Sequence, residues 1–160
     1  MDNNEVLNEI KEFFDVKELV DKQTFDKYGE KSWQFLCPML LHTLLVIRKE
    51  LGKPITINNW SWGGNFDERG LRTNTCDIVS KKTKVGKLYL SAHCMGKAID
   101  FDVLDMKASE VRTWLVENSS ILPYKIRLEH KFVKTGKEIS WVHLDVYHNE
   151  KDSKVYLFNV

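Results

Sequence analysis

The sequence predicts one α+β domain, N-terminal helices packed on a small, mainly antiparallel sheet. Apolar side chains recur at helical spacing through the first fifty residues, and from there on they mostly alternate as strands do. One helical stretch near 106–117 interrupts the strands, and helices followed by strands in this order read as α+β rather than as alternating α/β units. A length of 160 residues fits a single domain spanning 1–160, with 1–32 as a helical N-terminal extension.

Val6, Ile10, Phe13 and Phe14 mark a first helical face, followed by Leu19 and Val20. A stronger helix ends near Leu51. Pro38 belongs to its first turn, where the missing N–H costs little, and Leu40, Leu41, Leu44, Leu45 and Ile47 form its buried stripe. Gly52 and Pro54 stop it, and Ile55 to Trp60 alternates as a half-buried strand. Ser61 to Thr75, rich in Gly, Asn, Asp and Arg without periodicity, reads as a loop of the kind that carries function. Ser80 to Lys87 reads as a solvated lysine-rich loop, and strand character returns at Lys87 to Leu90 and Ala98 to Val103. Asp105 is the expected cap of a helix from about Met106 to Glu117, with Val111, Trp114 and Leu115 facing inward. Tyr124 to Phe132 and Glu138 to Tyr147 form a hairpin turning at Thr135 and Gly136, and Val155 to Val160 supplies an edge strand.

The charge balance, 24 Lys plus Arg against 23 Asp plus Glu, creates no overall field that would hold nucleic acid or an anionic membrane, so neither is an expected partner. The most apolar stretch, Trp33 to Ile47, falls short of the ~20 residues of a spanning helix. Met1 to Glu12 is acidic and polar where a signal peptide is basic and then apolar, so synthesis in a cytoplasm without a signal peptide is the expectation. Cys37, Cys76 and Cys94 lack paired spacing, and no structural disulfide is expected.

The chemistry concentrates in two segments. Ser91 to Asp100 places His93 and Asp100 on either side of a glycine turn that can aim both at one point. Trp141-Val142-His143-Leu144-Asp145 sets a second histidine in an apolar strand, where an unpaired imidazole is costly to bury. Two histidines and a carboxylate with an open fourth position make a catalytic zinc site. Spacing alone leaves this level with the plainer reading of satisfied histidines near the core and a loop aspartate.

The segment Ser91-x-His93-x-x-Gly96-x-Ala98-x-Asp100 resembles the signature S-x-H-x-x-G-x-A-x-D of the M15 peptidases, zinc enzymes that act as D-alanyl-D-alanine carboxypeptidases or L-alanyl-D-glutamate endopeptidases. The second motif, around His143, is similar to the phage and bacterial branch called M15 C-terminal-like, and the resemblance covers about residues 38–148. It implies Zn²⁺ held by His93, Asp100 and His143. It also implies an arginine that orients a substrate carbonyl or carboxylate; the chain departs from the family's S-G-x-R turn, so Arg72 in Gly70-Leu71-Arg72 is the first candidate and Arg69 the alternative. The family's base lies three residues before the last histidine, where this chain has Ser140. Glu129, brought beside His143 by the hairpin, is the substitute, and Glu138 is the alternative base if a bulge turns it inward.

Asp145 is a candidate partner for an imidazole N–H, Asp102 has the same relation to Asp100, and Trp60, Trp62 and Trp141 are candidates to line a groove. His42, His130, His148 and Cys94 read as packing or surface residues. The resemblance implies a peptidase acting on peptidoglycan stem peptides, encoded by a phage or prophage and reaching the cell wall through a holin or as part of a virion. A module that binds cell wall or a virion protein without catalysis is the competing expectation; the sequence carries no sign of oligomeric state.

Overall fold

The computed structural model describes all of residues 1–160 and shows the α+β architecture. Helices α1 (Asn3–Ile10), α2 (Lys22–Tyr28) and α3 (Pro38–Leu51) precede a short strand β1 (Ile55–Thr56). Helix α4 (Asp77–Lys84), strand β2 (Ala98–Val103) and helix α5 (Ala108–Glu117) follow, then strands β3 (Ile126–Glu129), β4 (Val142–Asp145) and β5 (Val155–Phe158). The sheet runs β1-β2-β4-β3-β5, antiparallel except where β5 joins β3 in parallel at the edge.

Strict alternation gives the sheet two unlike faces. Ile99, Phe101 and Val103 of β2, Val142 and Leu144 of β4, and Ile126 and Leu128 of β3 join one buried cluster with the apolar stripes of α1, α3 and α5. The intervening residues Asp100, His143, Asp145, Arg127 and Glu129 occupy the other face. The antiparallel register pairs Asp100 with His143, so two of the three predicted ligands are direct cross-strand neighbours.

Pro38 opens α3 and Gly52 closes it in the left-handed conformation, as the sequence indicates. The segment 1–32 is more than an extension: Val6, Ile10, Phe14, Val16, Leu19 and Val20 belong to the same core as the sheet. Its Leu19 carbonyl also accepts from the N–H of Leu71, in the loop that meets the site.

Several local expectations are corrected. Ser80 to Lys87 is mostly helix, because the Glu68 carboxylate accepts from the backbone N–H groups of Asp77 and Ile78 and so caps α4 from a distant loop. Lys87 to Leu90 is not a strand; it has no regular secondary structure and pairs with nothing in the sheet. Asp105 does not cap α5. It sits at φ 58 in a left-handed turn, and the helix begins after Lys107, whose N–H donates to Glu110 at 2.6 Å. The strand expected over 55–60 is only two residues long, because Asn58 turns aside to bond the N-terminal segment, its N–H donating to Glu18 O and its side chain to Val20 O.

The hairpin turns at Gly136, but its regular ladder is short. Between the pairs Leu128–Leu144 and Lys131–Glu138 one strand advances three residues and the other six, so residues 139–141 form a bulge. Arg112 of α5, 4% exposed, donates to the carbonyls of Ile139 and Trp141 at 2.9 and 3.0 Å and fixes that bulge just ahead of His143. No disulfide forms; the three cysteines are free. No helix is long and apolar enough to cross a membrane.

Candidate metal centre

His93 Nε2, His143 Nδ1 and an Asp100 carboxylate oxygen converge within 4.8 Å of one another, and all three residues are buried. His93 stands at the start of a single 3-10 turn, His93–Met95, ended by Gly96 at φ 62; a Cβ there would meet the Phe35 carbonyl oxygen at 2.1 Å. Only glycine lets this turn press against the end of the N-terminal half.

Each imidazole has an oxygen on its outer side. His93 Nδ1–H donates to Gly70 O at 2.8 Å, and His143 Nε2–H donates to Asp145 Oδ2 at 3.2 Å. With each ring neutral, those bonds leave a lone pair on both inner nitrogens, which lie 3.2 Å apart and face Asp100 Oδ1 at 3.4 and 2.7 Å. Converging acceptors in a buried place fit a cation, and the nitrogen–nitrogen–oxygen set suits a divalent metal with an imidazole preference. The His-Asp-His group can therefore bind a metal ion.

Electrostatics in the metal-free protein point the same way. Burial works against a charge on His143, but Asp100 and Asp145 outweigh it and raise its pKa to about 9. Burial likewise opposes ionisation of Asp100, yet the two imidazoles hold its carboxyl well below the usual carboxylate range. Burial pushes His93 down. A proton shared between His143 and Asp100 thus supplies a positive charge among these acceptors when no metal is bound. Asp145, fully buried, is itself held by Arg127 through two bonds of 2.8 and 2.9 Å, which keeps it a carboxylate facing His143.

The loop Arg69–Arg72 clamps the ligands. Arg69 O accepts from Asp100 N–H at 2.7 Å, Gly70 O takes the His93 proton, and Arg72 N–H donates to His93 O at 3.2 Å. The Arg72 guanidinium reaches Asp100 Oδ2 at 2.7 Å and Glu68 O at 2.6 Å. The loop in turn rests on the N-terminal segment: Leu71 N–H donates to Leu19 O at 2.9 Å, and a Cβ on Gly70 would lie 2.1 Å from that same oxygen.

Arg72 therefore stands at the site, bonded to a ligand. Arg69 turns its guanidinium to Asp102 and over the Phe66 ring, 3.5 Å from its centroid. Glu129 shares the face of His143 and lies 4.0 Å from its Nε2, with burial raising its pKa. Glu138 is elsewhere: despite the bulge, it faces Arg112 at 3.9 Å and His130 at 3.5 Å. Asp100, Arg72, Arg69 and Trp141 border a cleft of about 740 Å³ whose far wall includes Asp21 and Phe66. Trp141 alone of the three candidate tryptophans lines it; Trp60 donates to Val20 O and Trp62 is exposed. His42 packs edge-on to Tyr124. Sequence reasoning missed the Gly70 carbonyl and Arg127, because a backbone acceptor has no residue signature and Arg127 identifies itself only through the strand register.

No family model, no curated protein and no solved structure matches this chain.

Two outcomes are expected. Metal must displace the His143 proton, which is present below about pH 9, so apparent affinity rises by about tenfold per pH unit toward that value and levels above it. Calorimetry at pH 7 in buffers of different ionisation enthalpy should show about one proton released per metal bound; no release would contradict the protonation derived for His143. Gly70→Ala should lower metal affinity by tenfold or more, the order of loss when a ligand's outer partner is disturbed. A folded Gly70→Ala protein with parental affinity would contradict the clamp.

Proposed function

We propose that the protein is a zinc-dependent peptidase of the M15 type that hydrolyses peptide bonds in peptidoglycan stem peptides. The observation that supports it best is the donor set: His93 Nε2, Asp100 and His143 Nδ1, with both outer nitrogens bonded to oxygen, beside an open cleft. The resemblance of Ser91–Asp100 and of the strand around His143 to that family supplies the reaction class. Where the reading extends to biology, the protein is a phage or prophage enzyme that meets the wall after holin-type release or as part of a virion.

Zinc held by the three residues supplies Lewis acidity, acidifying water and polarising a carbonyl. Asp100 and the two imidazoles would hold it, with Asp145 and Gly70 O keeping those imidazoles turned inward. Glu129 is the proposed base. It is the one carboxylate near a ligand ring that neither belongs to the donor set nor, like Asp145, is taken up by Arg127. It takes a proton from the attacking water and returns it to the leaving amine. Arg72 orients Asp100 and brings a fixed positive charge to the cleft, where it would hold a substrate carboxylate or stabilise a developing oxyanion. Trp141 and Phe66 offer apolar walls for the peptide backbone.

One observation favours a second reading, a metal-binding module without catalysis that attaches to cell wall or another virion protein. Glu129 lies beside His143 Nε2, on the outer side of the ring, and Ser140 stands where the family has its carboxylate.

Purified sacculi separate the two. The zinc-loaded protein should release new free amino groups, lose that activity to a chelator and regain it with zinc, and mass analysis of the products identifies the bond. Glu129→Gln should keep fold and metal while the rate falls by ~10² or more, and Glu138→Gln should match the parent. A zinc-loaded parent that binds sacculi but releases nothing would leave the binding module as the function.

A further inference from the structure

The strip from Asp77 to Leu90 takes no part in the metal centre beyond its first two residues, Asp77 and Ile78, which line the cleft there. It carries four lysines, Lys81, Lys82, Lys84 and Lys87, all exposed, against one carboxylate, Asp77. Between and beyond them three aliphatic side chains project into solvent, Val85 at 67%, Leu88 at 87% and Leu90 at 64% exposure. Single exposed leucines are ordinary; three within six residues, interleaved with lysine, are not. Residues 88–90 also neither donate nor accept a backbone hydrogen bond, and of the three only Tyr89 is partly buried.

We propose that this strip is a docking surface for an anionic lipid bilayer. Charge complementarity selects the partner: the lysines need a dense negative surface, and the aliphatics need an apolar layer beneath it, a pair of demands that a bilayer interface meets together. A second copy of the chain would oppose lysine to lysine. A soluble polyanion would satisfy the charges and leave Val85, Leu88 and Leu90 in water. The attachment is peripheral, since no helix crosses a membrane. The near-zero net charge of the whole chain hides it, because the excess is local. The strip leads directly into Ser91 and His93, so docking would hold the metal centre at the membrane surface. The inference stands independently of the peptidase reading.

The test is co-sedimentation of the full chain with vesicles of phosphatidylglycerol or of phosphatidylcholine at ~0.1 M salt, within the range where surface charges are only partly screened. The parent should partition to phosphatidylglycerol and not to phosphatidylcholine. Lys84→Gln with Lys87→Gln should lower partitioning by roughly tenfold or more, about fivefold per lysine. Leu88→Ser with Leu90→Ser should lower it by at least a comparable factor, roughly tenfold, with circular dichroism and metal content unchanged in both variants. No binding by the parent, or equal binding to both lipids, overturns the proposal. Parental binding by the leucine variant overturns it too, and identifies the strip as a plain polyanion surface.

Discussion

The site rests on one constraint: two buried imidazoles give their outer protons to oxygen atoms and so turn bare nitrogen toward a buried carboxylate. Acceptors that converge away from water are costly without a positive charge among them. With no metal bound, a proton on His143 Nδ1 meets the demand, and the charged ring then donates to Asp100 on one side and to Asp145 on the other. A divalent cation meets it better, because it satisfies all three acceptors at once. The two solutions exclude each other, which couples metal binding to pH and makes the outer partners, rather than the ligands alone, the determinants of affinity.

The fold supplies this arrangement from both of its halves. Sheet register sets Asp100 opposite His143, and alternation places Asp145, Arg127 and Glu129 on the same face while their neighbours fill the core. Arg112 fixes the bulge that precedes His143 by satisfying two of its carbonyls. From the other side, Leu19 O holds Leu71, and the loop 69–72 then bonds both His93 and Asp100. The N-terminal segment thus carries one side of the metal centre through a backbone bond and a contact that only glycine permits at position 70.

Much of this is legible in the residues. The stripe of α3, its Pro38 start and Gly52 stop and the hairpin at Gly136 follow from periodicity and turn residues, the grouping of His93, Asp100 and His143 follows from the family resemblance where spacing alone left it open, and the hairpin turn places Glu129 beside His143. What escaped depends on partners distant in the chain. Helix α4 lacks its own cap residue and borrows Glu68; β1 ends early because Asn58 bonds residues 18 and 20; Asp105 takes a left-handed turn that its type tolerates, and so cannot cap α5. Arg69 and Arg72 lie close in sequence yet reach different carboxylates, Asp102 and Asp100, a distinction set by tertiary geometry.

The geometry specifies not just which residues bind but through which atom, and that asymmetry is the sharpest mark of the site. Histidine labelled with ¹⁵N and loaded with ¹¹³Cd as a stand-in for the native ion would show it directly by nuclear magnetic resonance. Metal coupling should appear at Nε2 of His93 and at Nδ1 of His143, with Nδ1 of His93 and Nε2 of His143 still protonated. Coupling through the same nitrogen in both rings, or through His42, His130 or His148, would contradict it.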